Sequence, residues 1–210
     1  MSLACVLLAA GSSRRFGQDD KLLSLLDGGP LVSYAANALR GLRPEALIGV
    51  ARSPGVIEQL SGFDIVTPPE VDPEQADSLR AGVRRARELG ATRVLVALGD
   101  MPFITTGHLA TVAERCTDTQ ASAVSGGARP MPPACFPASL IPDLLALHGD
   151  HGAGSLLRAL PSSALVDVPA DLLRDVDTPA NLSALGAGQS GVVCPACSVV
   201  GAGKPDIRFC

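Results

Sequence analysis

The sequence predicts an α/β fold in which a parallel sheet carries helices on both faces. Three observations lead there. Continuous aliphatic runs, Ala4 to Ala9 and Arg93 to Leu98, have the character of strands buried on both sides. Amphipathic stretches with apolar residues every three or four positions lie between such runs. The links are short, so strand and helix alternate along most of the chain.

The elements follow in order. Ala4 to Ala9 is the first strand, and a loop rich in Gly, Ser and Arg follows it. Leu31 to Leu42 reads as a helix, with Leu31, Ala35, Ala38, Leu39 and Leu42 on one face. Ala46 to Ala51 is the next strand, and Ile65-Val66 marks a third. Asp77 to Leu89 reads as a helix that turns Leu79, Val83, Ala86 and Leu89 inward. Its Arg80, Arg84, Arg87 and Glu88 form a solvated face, from which Arg80 alone is near enough to the helix start to reach a phosphate. Arg93 to Leu98 is a strand and Thr105 to Cys116 a helix. Ala121 to Ser125 and Pro133 to Phe136 are short strands, Leu140 to Leu147 and Ser155 to Leu160 are helical, and Ala164 to Val168 is the last strand. Thr178-Pro179 has the form of a helix start, with Thr at the N-cap and Pro in the first turn. Beyond Leu185 the composition shifts to Gly, Ala, Ser and Cys. The expected organisation is one domain over residues 1–187 and a tail, 188–210, outside its core.

Composition excludes several functions. The chain has 210 residues and a net charge of −4, so it lacks the basic surplus of a protein that grips nucleic acid. Aromatics are 3% with no Trp, which leaves no stacking platform for single-stranded bases. The apolar run Leu3 to Ala10 has no basic segment before it and is far shorter than a membrane span. No membrane partner and a cytoplasmic location are therefore expected. Cys5 and Cys135 lie in apolar runs and read as small buried hydrophobes. Cys194 and Cys197 have CxxC spacing, but only Cys210 is near enough to help complete a zinc site, so no metal or redox role is assigned.

Ligands of parallel α/β sheets bind at the carboxyl ends of strands. This rule singles out the loops after Ala9 and after Leu98. The segment Leu8 to Lys21 holds two glycines, two serines, two arginines and a lysine in 14 residues. Glycines let backbone N–H groups approach an anion, and the cations neutralise it. The loop is neither a P-loop nor a dinucleotide fingerprint: no Gly-Lys-Ser/Thr opens a helix, and Gly11 and Gly17 are six apart. Its charge suits a triphosphate. Asp100, at the end of the Arg93 to Leu98 strand, is the carboxylate placed to hold Mg²⁺ opposite that loop. Asp19 and Asp20 read as solvated loop charges. His108 reads as exposed near a helix start, and His148 and His151 flank Asp150 in a loop. No nucleophile–base arrangement is legible.

These motifs together resemble the signature of the molybdenum cofactor nucleotidyltransferase family, the MobA-like enzymes, and most closely its cytidylyltransferase branch. Gly11, Ser13, Arg15, Gly17 and Lys21 fall on the signature positions of the first loop. Ser78-Leu-Arg-Ala-Gly82, Gly99-Asp-Met-Pro102, Gly149-Asp-His-Gly-Ala153 and Asp175-Val-Asp-Thr-Pro179 are similar to later motifs, in the same order. The resemblance implies a three-layer, Rossmann-like, GT-A-like fold with a mostly parallel sheet. It implies nucleotide binding by Leu8, Ala9, Ala10, Gly11, Ser13, Arg15, Lys21 and Ser78. Lys21 would stabilise charge on the α-phosphate, Arg15 would grip the departing pyrophosphate, and Asp100 and Asp177 would hold Mg²⁺, with Asp175 competing for the second place. Two departures bear on the acceptor side: Pro130-Met-Pro-Pro133 stands where Gly-His-Pro is frequent, and Gly154 where Arg is usual.

The implied reaction is transfer of CMP from CTP to the terminal phosphate of molybdopterin or the molybdenum cofactor, with release of pyrophosphate. Ala10, where guanylyl enzymes typically carry Gly, favours CTP. Alternatives are a GTP-using guanylyltransferase and a sugar- or polyol-phosphate nucleotidyltransferase. A reading of another class is a non-catalytic carrier that delivers the cofactor to a client molybdoenzyme.

Overall fold

The computed structural model describes residues 2–11, 20–68, 75–127, 129–149 and 152–175. Strand β1 (Leu3–Ala9) leads, after the loop, into a one-turn 3-10 helix (Lys21–Leu23) and a small hairpin, β2 (Leu25–Leu26) and β3 (Gly29–Pro30). Then come α1 (Leu31–Gly41), β4 (Ala46–Ala51), α2 (Pro54–Gln59), β5 (Asp64–Val66), α3 (Gln75–Glu88) and β6 (Arg93–Leu98). The rest is α4 (Thr106–Arg115), β7 (Ser122–Ser125), β8 (Pro130–Pro137), α5 (Ile141–Leu145), α6 (Gly154–Arg158) and β9 (Leu165–Asp167).

Seven strands form one sheet in the order β5-β4-β1-β6-β8-β7-β9. Every neighbouring pair is parallel except those made by β8, which runs against both β6 and β7. The sheet is thus mostly parallel, as the resemblance implied, and not wholly parallel, as alternation alone suggested. The cause is local: residues 126–129 between β7 and β8 are too few for a crossover helix, so the two strands pair as a hairpin. From β1 the chain moves to β4 and β5 on one side, then crosses to β6 on the other. The strand order therefore reverses between β1 and β6, and a crevice forms at such a point.

Alternate residues of β1 face opposite layers. Cys5, Leu7 and Ala9 pack in the core beneath α1 and α4, with Leu31, Leu39, Leu109 and Val112. Ala4 and Val6 pack in the other core, with Leu79 and Val83 of α3, Leu144 of α5 and Leu157 of α6. Helix α3 lies so close to the sheet that a Cβ at Gly82 would run into Val6 and come within 2.9 Å of Val50 Cγ2. Cys5 and Cys135 are fully buried, as expected.

The sequence reading passed over α2 and the β2–β3 hairpin. Helix α2 has Ser53 at its N-cap and Pro54 in its first turn, the same start signal read at Thr178-Pro179. The strand expected at Pro133 to Phe136 extends over Pro130–Pro137. The helix expected over Leu140 to Leu147 is a 3-10 turn at Ala138–Leu140 followed by a short α5. Thr178-Pro179, the tail and Cys194, Cys197 and Cys210 lie outside the described residues. Among the described residues no helix is long and apolar enough to cross a membrane.

Candidate active site

A cleft of about 310 Å³ opens at the carboxyl ends of β1 and β6. Leu8, Ala9, Ala10 and Gly11 form one wall as β1 ends. The Gly99 N–H donates to the Leu8 carbonyl at 3.0 Å, so the ends of the two central strands are tied together and Asp100 emerges beside the β1 loop. Lys21 and Leu22 enter from the 3-10 turn, and Gln75 and Ser78 from the first turn of α3. Of the candidate nucleotide and metal residues within the described residues, Leu8, Ala9, Ala10, Gly11, Lys21, Ser78 and Asp100 line this one cleft, and Asp175 does not. Ser13, Arg15 and Asp177 lie outside the described residues. Asp175 is exposed.

The 3-10 turn presents Lys21 in a fixed way. Asp20 Oδ1 accepts from the Leu22 N–H at 3.0 Å, and the Asp20 carbonyl accepts from the Leu23 N–H at 2.9 Å. Asp20 is therefore a capping residue and not a solvated loop charge. Leu22 is buried beneath and anchors the turn. Lys21 Nζ then donates to Asp100 Oδ2 at 2.8 Å. The two side chains are only 16% and 21% exposed, so bulk water and salt screen this pair weakly.

Asp100 Oδ1 is buried and has no hydrogen-bond partner among the described residues. A carboxylate oxygen left in that state is a hard donor, and Mg²⁺ takes one or two carboxylates and completes its shell with phosphate oxygens and water. The residues present therefore fit such an ion. Among the described residues no cluster of three or more His, Cys, Asp or Glu is arranged to hold a metal by protein ligands alone.

A second chamber of about 240 Å³ adjoins the first and shares Leu8, Gln75 and Leu98 with it. Leu79, Val96, Pro130, Met131, Pro132 and Leu157 give it an apolar lining, and the exposed Arg129 and Arg158 supply charge. Gly152 and Ala153, from the Gly149–Ala153 motif, and Gly154 just after it complete the lining.

Several expectations change here. Arg80 belongs neither to a solvated face nor to a phosphate site: its guanidinium is held by the Leu147 carbonyl, His148 and Asp77. His108 acts within its own helix, where Nδ1 accepts from the Thr105 N–H and Thr105 Oγ1 accepts from the His108 N–H, both at 3.3 Å. Gln75, Leu22 and Leu98 were missed as cleft residues. Gln75 had a signal, since it stands three positions before Ser78 and so shares its helix face.

Comparison with known proteins agrees with this architecture. Purine catabolism protein PucB of Bacillus subtilis (strain 168) is 29% identical over 188 residues, which span 83% of this chain and 91% of that protein. A nucleotidyl transferase from a Methanothermobacter superposes with a TM-score of 0.75 at 24% identity, covering 89% of this chain and 96% of that one. The homologue of Mycobacterium tuberculosis Rv0371c from Mycobacterium sp. strain JC1 superposes at 0.74 with 26% identity, covering 88% and 95%. Residues 5–165 match the MobA-like NTP transferase domain, and the chain, with its cleft at the β1/β6 crossing, belongs to that family of nucleotidyltransferases.

Proposed function

We propose that this nucleotidyltransferase moves the CMP moiety of CTP onto the terminal phosphate of molybdopterin or the molybdenum cofactor and releases pyrophosphate. The observation that carries the reading is the Lys21–Asp100 contact in the first cleft. It puts an ammonium and a carboxylate with a spare oxygen where two loops from neighbouring strands meet.

The chemistry asks the protein for placement and charge. An oxygen of the acceptor phosphate attacks the α-phosphorus, and the bond to the bridging oxygen breaks with its electron pair leaving on pyrophosphate. The acceptor is already an anion, so no general base has to remove a proton, in keeping with a cleft lining that holds no histidine among the described residues. Lys21 donates to the α-phosphoryl oxygens as their charge grows, in a site where a fixed donor counts for more than in water. Arg15 neutralises the leaving pyrophosphate, and Ser13 belongs to the same loop. The backbone from Leu8 to Gly11 seats the nucleoside, with Ser78 across from it. Asp100 and Asp177 would hold Mg²⁺, which when bound there would neutralise phosphate charge and orient the phosphate oxygens.

Ala10, which lines the cleft, supports CTP over GTP, because a methyl group at this position leaves less room for a purine than glycine would. The second chamber supports the acceptor. Its aliphatic floor suits a flat ring system, and Arg129 and Arg158 suit a phosphate on that body. A sugar or polyol acceptor would need polar groups to read its hydroxyls, and this lining offers few.

The test is incubation with each nucleoside triphosphate, Mg²⁺ and molybdenum cofactor, followed by mass analysis. A product heavier by CMP, with pyrophosphate in equal amount, is expected. A GMP adduct would reassign the nucleotide. No pyrophosphate with any triphosphate would leave the carrier reading.

A further inference from the structure

Arg80 lies one turn inside α3 and lines neither chamber. Its Nη1 donates to the Leu147 carbonyl at 2.6 Å and to His148 Nδ1 at 2.7 Å, while Nη2 is paired with Asp77 on its own helix. An arginine has no acceptor and keeps its proton, so His148 Nδ1 must accept and the ring proton sits on Nε2. Two further contacts continue the attachment. The Ala76 N–H donates to the Gly149 carbonyl at 3.3 Å. Gly152, with φ +46°, comes so near Gln75 that a Cβ there would lie 2.8 Å from Gln75 Oε1.

The loop fastened in this way walls the second chamber, and the helix borders both. The first turn of α3 gives Gln75 and Ser78 to the nucleotide cleft, and Gly152, Ala153 and Gly154 wall the second chamber. The Arg80 guanidinium is therefore the side-chain tie among the contacts that set the distance between the helix and this loop.

We infer that Arg80 is a positioning residue: through Leu147 and His148 it holds the acceptor-side loop in register with the nucleotide cleft, so that the acceptor oxygen lines up with the α-phosphorus. This rests on the reading that the second chamber seats the acceptor. In-line transfer is sensitive to such placement, and an error of about 1 Å costs roughly 10²-fold.

The experiment compares the full chain with Arg80→Ala, Arg80→Lys, His148→Leu and His148→Gln. Three readouts are taken: CTP affinity with Mg²⁺ by calorimetry, turnover of molybdenum cofactor with CTP, and hydrogen exchange of the segment spanning residues 147–154 without substrates. Arg80→Ala and His148→Leu are expected to exchange faster in that segment and to lose roughly 10–100-fold in kcat/KM for the acceptor. CTP affinity should stay within about threefold, since Arg80 does not line the nucleotide cleft. Arg80→Lys keeps one donor, and His148→Gln keeps an acceptor, so each should recover part of the loss. If Arg80→Ala does not fold, the His148 pair decides the question. Unchanged exchange, or faster exchange with normal turnover, would overturn the positioning role. Equal loss of CTP affinity and turnover would make Arg80 a nucleotide contact instead. A wild-type protein that makes no product from the cofactor defeats the acceptor reading, and the positioning role falls with it.

Discussion

Lys21 and Asp100 are 79 positions apart in the chain and 2.8 Å apart in space. Both line the cleft at the carboxyl ends of β1 and β6. Replacing Lys21 with Ala removes the donor proposed to meet the α-phosphate. Turnover should fall about 10²–10³-fold, the usual loss for one donor to a transition state. The melting temperature should fall as well, because the largely buried Asp100 loses its cation, so turnover is compared at a temperature where both proteins are folded. Near-normal turnover would take Lys21 out of the mechanism.

Asp100→Asn keeps the shape of the side chain and removes its charge. The variant should need far more Mg²⁺ for half-maximal rate, and its maximal rate should drop. Chemical denaturation should show a smaller effect, because Oδ1 has no partner to lose among the described residues. A Mg²⁺ titration identical to that of the wild type would leave Asp100 with the Lys21 contact alone.

Gly82→Val tests how closely α3 lies on the sheet. The new side chain would have to occupy space held by Val6 and Val50, two stiff β-branched residues. Overpacking costs about 1–3 kcal/mol, and Val recovers only about 0.4 kcal/mol over Gly in helix propensity. A lower urea midpoint is expected, and an unchanged one would mean that the helix can lift at no cost.

The buried thiols predict a chemical protection and a pH dependence. Burial, with Glu45 adding to it, pushes the Cys5 thiol up to about 12. Cys135 is pushed up as well, first because it donates its S–H to Cys116 and then by burial. Peptide mapping after iodoacetamide at neutral pH should find Cys5 and Cys135 unlabelled until denaturant is added. Above about pH 9 the unfolded chain loses the Cys5 proton while the folded chain keeps it. The unfolded state then binds fewer protons, so stability must fall as pH rises from about 9 towards 12. Flat stability across that window would show that Cys5 ionises alike in both states.

Much of the fold was legible because its signals are local. The run Ala4 to Ala9 and the spacing of Leu79, Val83 and Ala86 report burial on a strand and on a helix through periods that need no tertiary knowledge. The loops that carry Lys21 and Asp100 were legible for a related reason, since a parallel strand delivers its following loop to the carboxyl edge, while Ser78 and the role of Leu8 to Gly11 were legible through the family resemblance. Leu22 and Leu98 were not legible as cleft residues, because their type carries no chemistry that marks them, whereas Gln75 was marked only by its place one turn before Ser78. Helix α2 was overlooked because six residues are too few to show a period.

By itself, then, the sequence determined which segments become strands and helices, which loop is rich in anion-binding groups, and the family to which those motifs point. Tertiary structure alone decided the rest. It set the order β5-β4-β1-β6-β8-β7-β9, with its reversal at β1 and β6, and the antiparallel course of β8. It also turned Arg80 from a surface charge into the tie between α3 and the loop at His148. The physical reason is range. Side-chain period and turn chemistry act over a few residues, whereas the partner of Lys21 or Arg80 is chosen by how whole layers pack, and that choice is written in no short stretch of the chain.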